Sequence, residues 1–344
     1  MNRSLSGPTA GSAGTGYGLA LAGAVAFSGK AIVAKLLYRH GIDALDAVAL
    51  RMLLAWPFFI LMAWWAGRGK PRPAPGDRVR ILVLGFAGYY LASVLDFAGL
   101  QYISASLERL ILFAYPTIVL LIVALRSKRP VTRRQGLALA VSYAGVLLAF
   151  GQEAIASLGA PGASVAWGSA LVLASAVSYA VYLVLSGETV GRYGALRLTG
   201  LSSSFACALC VAQFCALRPL HAWAEFGPAV WELSVLNATL CTVLPIWMVM
   251  RAMELIGSSQ AAQVGMVGPI STVLLAVWLL GEPFTFAQAA ATVIVLLGVS
   301  LLRAPGDTAS GAPAVAAAVA VASVDAAAVD ATAAGGSSAR GPAL

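Results

Sequence analysis

The 344-residue sequence predicts an all-α integral membrane protein, with ten transmembrane helices in two inverted five-helix repeats. Three observations predict it. Hydrophobic residues make up 60% of the chain and charged residues 10%, against about 45–50% and about 25% in soluble domains, and mean hydropathy is +0.86. The apolar residues fall into ten segments, each near the ~20 residues that a spanning helix needs. Finally, the stretch Ile103–Phe150 recurs without a gap as Ile256–Arg303, at an offset of 153 residues. In that register Pro116 meets Pro269, Pro130 meets Pro283, Thr132 meets Thr285, Gln135 meets Gln288 and Gly145 meets Gly298. Shared Ala and Leu richness gives aliphatic matches by chance; it does not readily give these, so the chain reads as a duplicated unit.

In chain order, residues 1–15 are rich in Gly, Ser and Thr and read as a disordered lead. The first repeat covers 16–151, with helices at about 17–38, 44–66, 81–100, 104–125 and 135–151. A linker, 152–164, leads into the second repeat, 165–303, with helices at about 165–186, 196–217, 229–250, 259–280 and 285–303. Residues 304–344 turn to Ala, Gly, Ser and Pro and read as a disordered tail, whose apolar stretch Ala312–Val324 is too short to span. The first apolar run is long enough to stay in the membrane as an anchor, and no cleavable signal precedes it.

Positive charge sets the expected orientation. With the N-terminus in the cytoplasm, sixteen of the 22 Lys and Arg fall inside: Arg3, five over 68–80, five over 126–134, Arg192, Arg197, Arg251, Arg303 and Arg340. Only Arg39 and Arg218 fall outside, and Lys30, Lys35, Arg51 and Arg109 lie within helices. Both termini are therefore expected on the cytoplasmic side of the inner membrane. The net charge of +8 is accounted for by loops facing anionic lipid headgroups, and a nucleic-acid partner is not implied. Five helices per repeat is an odd number, so the second repeat sits upside down relative to the first. Inverted repeats suit alternating access, in which two similar halves exchange conformations around a central site.

The residues at this point resemble a known family. An aromatic and small first helix with a lysine (Phe27-Ser28-Gly29-Lys30 to Lys35), an arginine in the second (Leu50-Arg51-Met52), and the approach to the fourth (Leu100-Gln101-Tyr102-Ile103-Ser104-Ala105) all fit. So do Pro116, its echo Pro269, and the Gly281-Glu282-Pro283 turn before the last helix. Over about residues 16–303 the pattern resembles the EamA-type permeases of the drug/metabolite transporter superfamily. The resemblance implies ten helices, a central substrate cavity between the halves, and secondary transport of small metabolites, often export. The chain departs where Lys128-Arg129-Pro130 stands at a turn that in the family is often Gly-Glu-Pro; here it reads as a topology signal.

Ionisable residues inside a membrane are costly unless paired or hydrated, so they are the first candidates for function. They are Lys30, Lys35, Arg51, Asp96, Glu108 and Arg109, all in the outer half of the first repeat, with two more cations than anions. Lys35, one turn from a helix end, snorkels; Arg51, two turns in, either snorkels or turns inward. Glu108 suits the first turn of its helix by dipole alone. It lies about 100° round the helix from Arg109, so the two cannot point one way. Lys30 and Asp96 lie too deep to snorkel, and either form a structural ion pair or serve a substrate. The surplus of positive charge predicts an anionic or zwitterionic substrate held by Lys30 and Arg109, with Asp96 holding Lys30 and Glu108 or Asp96 as the coupling group. Tyr179 and Tyr182 share one helix face, as do Gln260 and Gln263; Tyr179, Tyr182 and Gln263 would contact the rest of the molecule. Pro116 and Pro269 each break a helical hydrogen bond, as transporter sites often do, and a plain packing kink is the alternative.

Gly136, Ala140 and Ala144 form a small-residue ladder for a close helix contact, either internal or between two copies in a homo-oligomer. The cysteines, including the pair Cys207 and Cys210, read as small packing residues. No metal site and no cofactor is expected: there is no phosphate-cradling Gly loop with Lys, no metal-ligand spacing and no Ser/His/Asp set. The expected partners are a small-molecule substrate and membrane lipid. Two rivals to a permease stand at this level: an intramembrane enzyme on a lipid or isoprenoid with Asp96 or Glu108 as acid/base, and a membrane scaffold without flux. Internal inverted symmetry favours a permease driven by protons or another gradient over both rivals, with export as the resemblance implies, and an enzyme is not expected.

Overall fold

The structure, a computed structural model, describes residues 10–128, 131–156, 165–256, 261, 264, 265 and 267–301. Among them the regular secondary structure is helical throughout. Eight helices are long and apolar enough to cross a membrane: Gly14–Arg39, Ala44–Gly67, Pro75–Leu100, Ala105–Arg126, Arg133–Ala156, Val165–Gly187, Ala195–Leu217 and Pro228–Val249. Two shorter apolar helices, Val267–Leu280 and Phe286–Leu301, follow. In chain order these are the first to the tenth helix.

Helix ends differ from the sequence expectation where capping chemistry lies outside the apolar run. The first helix begins at Ala10, inside the expected disordered lead, of which residues 1–9 fall outside the described set. The third begins at Pro75, a proline in the first turn, where its fixed φ and missing N–H do no harm. The fifth continues to Ala156, into the expected linker; 157–164 and the tail from 302 are not among the described residues. Asp43 caps the second helix by accepting from the Asp46 N–H at 2.9 Å, and Ser104 caps the fourth by accepting from the Leu107 N–H at 3.0 Å, each meeting one of the orphan donors of a helix start.

The helices pair across the two halves of the chain. The second packs on the seventh, the fifth on the tenth, the first on the eighth and ninth, and the sixth on the third and fourth. Exchanging the halves maps each pairing onto itself or onto another in the set. Glycines set the closest approaches. A Cβ on Gly145 would lie 2.9 Å from the Val295 nitrogen, and one on Gly298 would lie 2.5 Å from the Ser142 nitrogen. These two glycines are 153 residues apart, and so are the sites they face. The seam between the fifth and tenth helices is made by Ala138, Ser142, Gly145 and Ala149. The expected ladder of Gly136, Ala140 and Ala144 is exposed; at 100° per residue it lies on the opposite face of the fifth helix and makes no internal contact.

Several helices are irregular. The fourth is in two pieces, Ala105–Leu112 and Tyr115–Ser127, because Pro116 has no N–H for the Leu112 carbonyl. The chain recovers through Ala114, whose carbonyl accepts from the Thr117 N–H at 3.1 Å and the Thr117 hydroxyl at 2.6 Å. The third helix is π-helical over Gly85–Leu91 and the eighth over Thr239–Val243. The offset of 153 carries the first of these onto 238–244, so both halves widen at the same place. Two hydroxyls of the sixth helix take carbonyls along the first widening: Ser178 donates to Ala87 at 2.8 Å and Ser175 to Ala92 at 2.7 Å.

The turns closing the fourth and ninth helices share one backbone geometry. Gly281 has φ +70° and Lys128, 153 residues earlier, has φ 52°, and both are left-handed. A side chain there costs about 1 kcal/mol. Lys128→Gly is expected to raise stability by about 1 kcal/mol and Gly281→Ala to lower it by a similar amount, read as opposite shifts of the thermal midpoint in detergent.

Candidate functional site

Where the two widened helices face the broken fourth helix, they enclose a cavity of about 100 Å³. Phe27 and Lys30 enter it from the first helix, Arg51 from the second, Tyr89 and Asp96 from the third, Arg109 and Tyr115 from the fourth, and Tyr179 from the sixth. Three cations and one carboxylate thus share one wall.

Lys30 is the hub. Its Nζ lies 2.7 Å from Asp96 Oδ2 and 3.9 Å from Glu108 Oε1. All three side chains are buried, where an unpaired charge would cost several kcal/mol. Aromatic rings separate the cations. The Arg109 guanidinium lies 5.3 Å from the centre of the Phe27 ring and Lys30 Nζ 5.5 Å from the same centre. Lys30 Nζ is also 5.9 Å from the Phe97 ring, and the Arg51 guanidinium is 4.9 Å from it. Each ring therefore presents its electron-rich face to two cations, an attraction that strengthens on desolvation. Arg51 also donates to Ser93 Oγ at 2.8 Å.

Arg109 is held differently. It is 4% exposed, and its Nε and Nη2 meet no hydrogen-bond acceptor among the described residues. Its Nη2 would lie only 2.9 Å from a Cβ at Gly268, so the absence of a side chain there makes room for the guanidinium. Glu108 turns towards Lys30 while Arg109 lies against Phe27, one turn earlier on the same face of the first helix. The tyrosines form a second layer. Tyr115 and Tyr179 meet edge to face at 5.6 Å, Tyr179 stacks on Tyr182 at 5.8 Å, and the Tyr89 and Tyr182 hydroxyls are 3.1 Å apart.

Of the residues expected from sequence, Lys30, Asp96, Arg109 and Tyr179 line the cavity and Glu108 adjoins it. Tyr182 is fully buried behind Gly88 and supports Tyr89 instead of lining the space. Pro116 follows the break in the fourth helix, whose Leu112 and Phe113 line the cavity. Pro269 sits in the first turn of the described part of the ninth helix, beside Gly268. Gln263 lies outside the described residues. Lys35 is apart from the cluster, within electrostatic reach of Glu282 and Glu153 near the helix ends, so the cavity group holds one more cation than anions. Arg51, Tyr89 and Tyr115 also line it. For Arg51 the signal was its depth, two turns into an apolar helix; for the tyrosines no pattern distinguished lining from packing.

A bundle of apolar helices around a charged, aromatic-lined cavity defines a polytopic membrane protein with a polar interior. Residues 14–151 and, separately, 166–304 match the sequence profile of the EamA-like transporter family, and the chain belongs to that family. It is 30% identical over 275 residues to the uncharacterized transporter YcbK of Bacillus subtilis (strain 168), covering 78% of this chain and 86% of that protein. It is 26% identical to the uncharacterized inner membrane transporter YicL of Salmonella typhimurium, over 66% and 73% of the two chains. A solved structure described as "Crystal structure of protein" superposes with a TM-score of 0.54 over 84% of this chain and 96% of that one. At 16% identity that likeness is one of fold.

The Lys30 hub generates a stability prediction. Lys30→Met leaves two buried carboxylates without their cation and is expected to cost about 3–5 kcal/mol. Adding Asp96→Asn should recover a large part of the loss. Thermal unfolding of the single and double variants in detergent measures both; a double variant no better than the single one would contradict the pairing.

Proposed function

We propose that this chain is a secondary active transporter that moves a small anionic or zwitterionic metabolite by alternating access between two inverted units, residues 16–151 and 165–303. The pairing of helices across the halves supports the two-unit reading, as do the two separate family matches. The direction proposed is export, as the resemblance to EamA-type permeases implies, and both termini are proposed to be cytoplasmic on the strength of the sixteen-to-two distribution of Lys and Arg.

The observation that carries the substrate class is Arg109. A buried guanidinium facing a cavity, with two nitrogens that meet no acceptor among the described residues, is matched by a carboxylate, which it can bind through two parallel hydrogen bonds. Lys30, which the sequence alone favoured for this role, already has Asp96 at 2.7 Å. In this reading Lys30 holds the charge balance of the site and Arg109 holds the substrate. Tyr115 and Tyr179 flank the bound molecule. Glu108 shares Lys30 with Asp96 and is the proposed proton-carrying group. An incoming anion on Arg109 adds negative charge beside the three and a proton on Glu108 offsets it, so substrate and proton favour each other's binding.

Transport into inverted membrane vesicles, screened against a metabolite mixture with and without a proton gradient, tests the function. Arg109→Met is expected to weaken binding of the carboxylate-bearing substrate about ten- to a hundredfold, the loss of one charged hydrogen-bonding group. Lys35→Met should leave it unchanged. Selection of a purely cationic substrate, or equal behaviour of the two variants, would overturn the anion reading. For orientation, an engineered cysteine within 71–76 should label from the cytoplasmic side only; labelling by an impermeant reagent in intact cells contradicts it.

A further inference from the structure

The first piece of the fourth helix, Ala105–Leu112, carries both Glu108 and Arg109 yet is only eight residues long. The break at Phe113 and Ala114 separates it from the rest of its helix, so its position depends on what holds its other end. Two carboxylates do, from different halves of the chain. Glu153, at the end of the fifth helix, accepts from the Ser104 N–H and hydroxyl. Glu282, in the turn after the ninth helix, accepts from the Ala105 N–H at 2.8 Å, the Ser106 N–H at 3.3 Å and the Ser106 hydroxyl at 2.7 Å. The Glu282 turn is itself fixed to the first half: Arg39 donates to the Leu280 carbonyl. Within the turn, the Glu282 N–H reaches the Ala276 carbonyl at 3.2 Å.

We propose that Glu282 is a positioning residue for the cavity and a tie between the two units: it holds the segment bearing Glu108 and Arg109 in place, and it releases that segment when this end of the bundle opens. Orphan N–H groups at a helix start carry partial positive charge, so a carboxylate there is held by both hydrogen bonds and the helix dipole. Glu153 makes the same kind of bond but joins residues of one unit. Relative motion of the two units therefore breaks the Glu282 bonds and leaves those of Glu153 intact. Opening and loss of the Arg109 geometry then become one event, which lets bound molecule and closed end reinforce each other.

The proposal rests on the two-unit reading above, and its test does not require a known substrate. Ala176→Cys places a thiol on the cavity wall; Cys215→Ser removes the exposed native cysteine, Cys207, Cys210 and Cys241 being buried. In this full-length background the probe is a membrane-impermeant maleimide. Glu282→Gln is expected to raise the labelling rate about tenfold, while Glu282→Asp and Glu153→Gln stay near the parent. An equal rise in Glu282→Gln and Glu153→Gln would overturn the proposal, because helix capping alone would explain it. So would parental labelling in Glu282→Gln. If Glu282→Gln does not fold, Ser106→Ala removes one of the three bonds and should raise the rate about twofold; no rise there overturns it as well. Raised labelling in a protein that moves no substrate would remove the transport reading and leave the tie standing. Parental labelling in a transporting variant would do the reverse.

Discussion

An ammonium group deep in an apolar bundle cannot keep its charge without counter-ions, and Lys30 keeps two. Asp96 comes from the third helix and Glu108 from the fourth, so one electrostatic requirement draws three helices to a single point. The rings of Phe27 and Phe97 extend that point outward to Arg109 and Arg51. The cavity exists because this group of charges prevents the helices from closing as an ordinary apolar seam would. Its cost is met by pairing, and at Arg109 there is room but, among the described residues, no acceptor for two of the nitrogens.

Around that centre the two halves of the chain repeat each other's solutions. Gly145 and Gly298 admit the same close approach from opposite sides of one seam. The third and eighth helices widen at corresponding positions, and Lys128 and Gly281 turn with the same left-handed backbone. The backbones match at these positions while the chemistry differs: among the described residues, the charged side chains lining the cavity come from the first half. The second half contributes shape, through Gly268, Ser175 and Thr242, and aromatic surface through Tyr179.

Most of the fold was legible because its signals are collective. Spans of ~20 apolar residues each average over many positions. The Lys30–Asp96 pair was legible as well, since a charge too deep to reach water needs a partner. What sequence could not supply was direction around a helix. Gly136, Ala140 and Ala144 have the spacing of a packed seam and face outward, while Ala138, Ser142 and Gly145, one or two residues on, make the contact. Tyr179 and Tyr182 share a face, yet one lines the cavity and the other backs it. Glu282 was visible only as part of a turn; its role depends on Ser106, 176 residues away in sequence, and no local pattern connects them.

That separation bears on how the protein is made. Synthesis delivers the N-terminal half first, so the segment carrying Glu108 and Arg109 enters the membrane long before the ribosome reaches Glu282. Until then its leading N–H groups have Glu153 and the Ser104 cap but not Glu282, and Arg109 has no ninth-helix backbone at Gly268 to lie against. The first half on its own is therefore an unfinished piece. Quality control in the membrane would meet it with a buried guanidinium and an incompletely capped helix start, and the arrival of the last two helices is what completes the protein's interior.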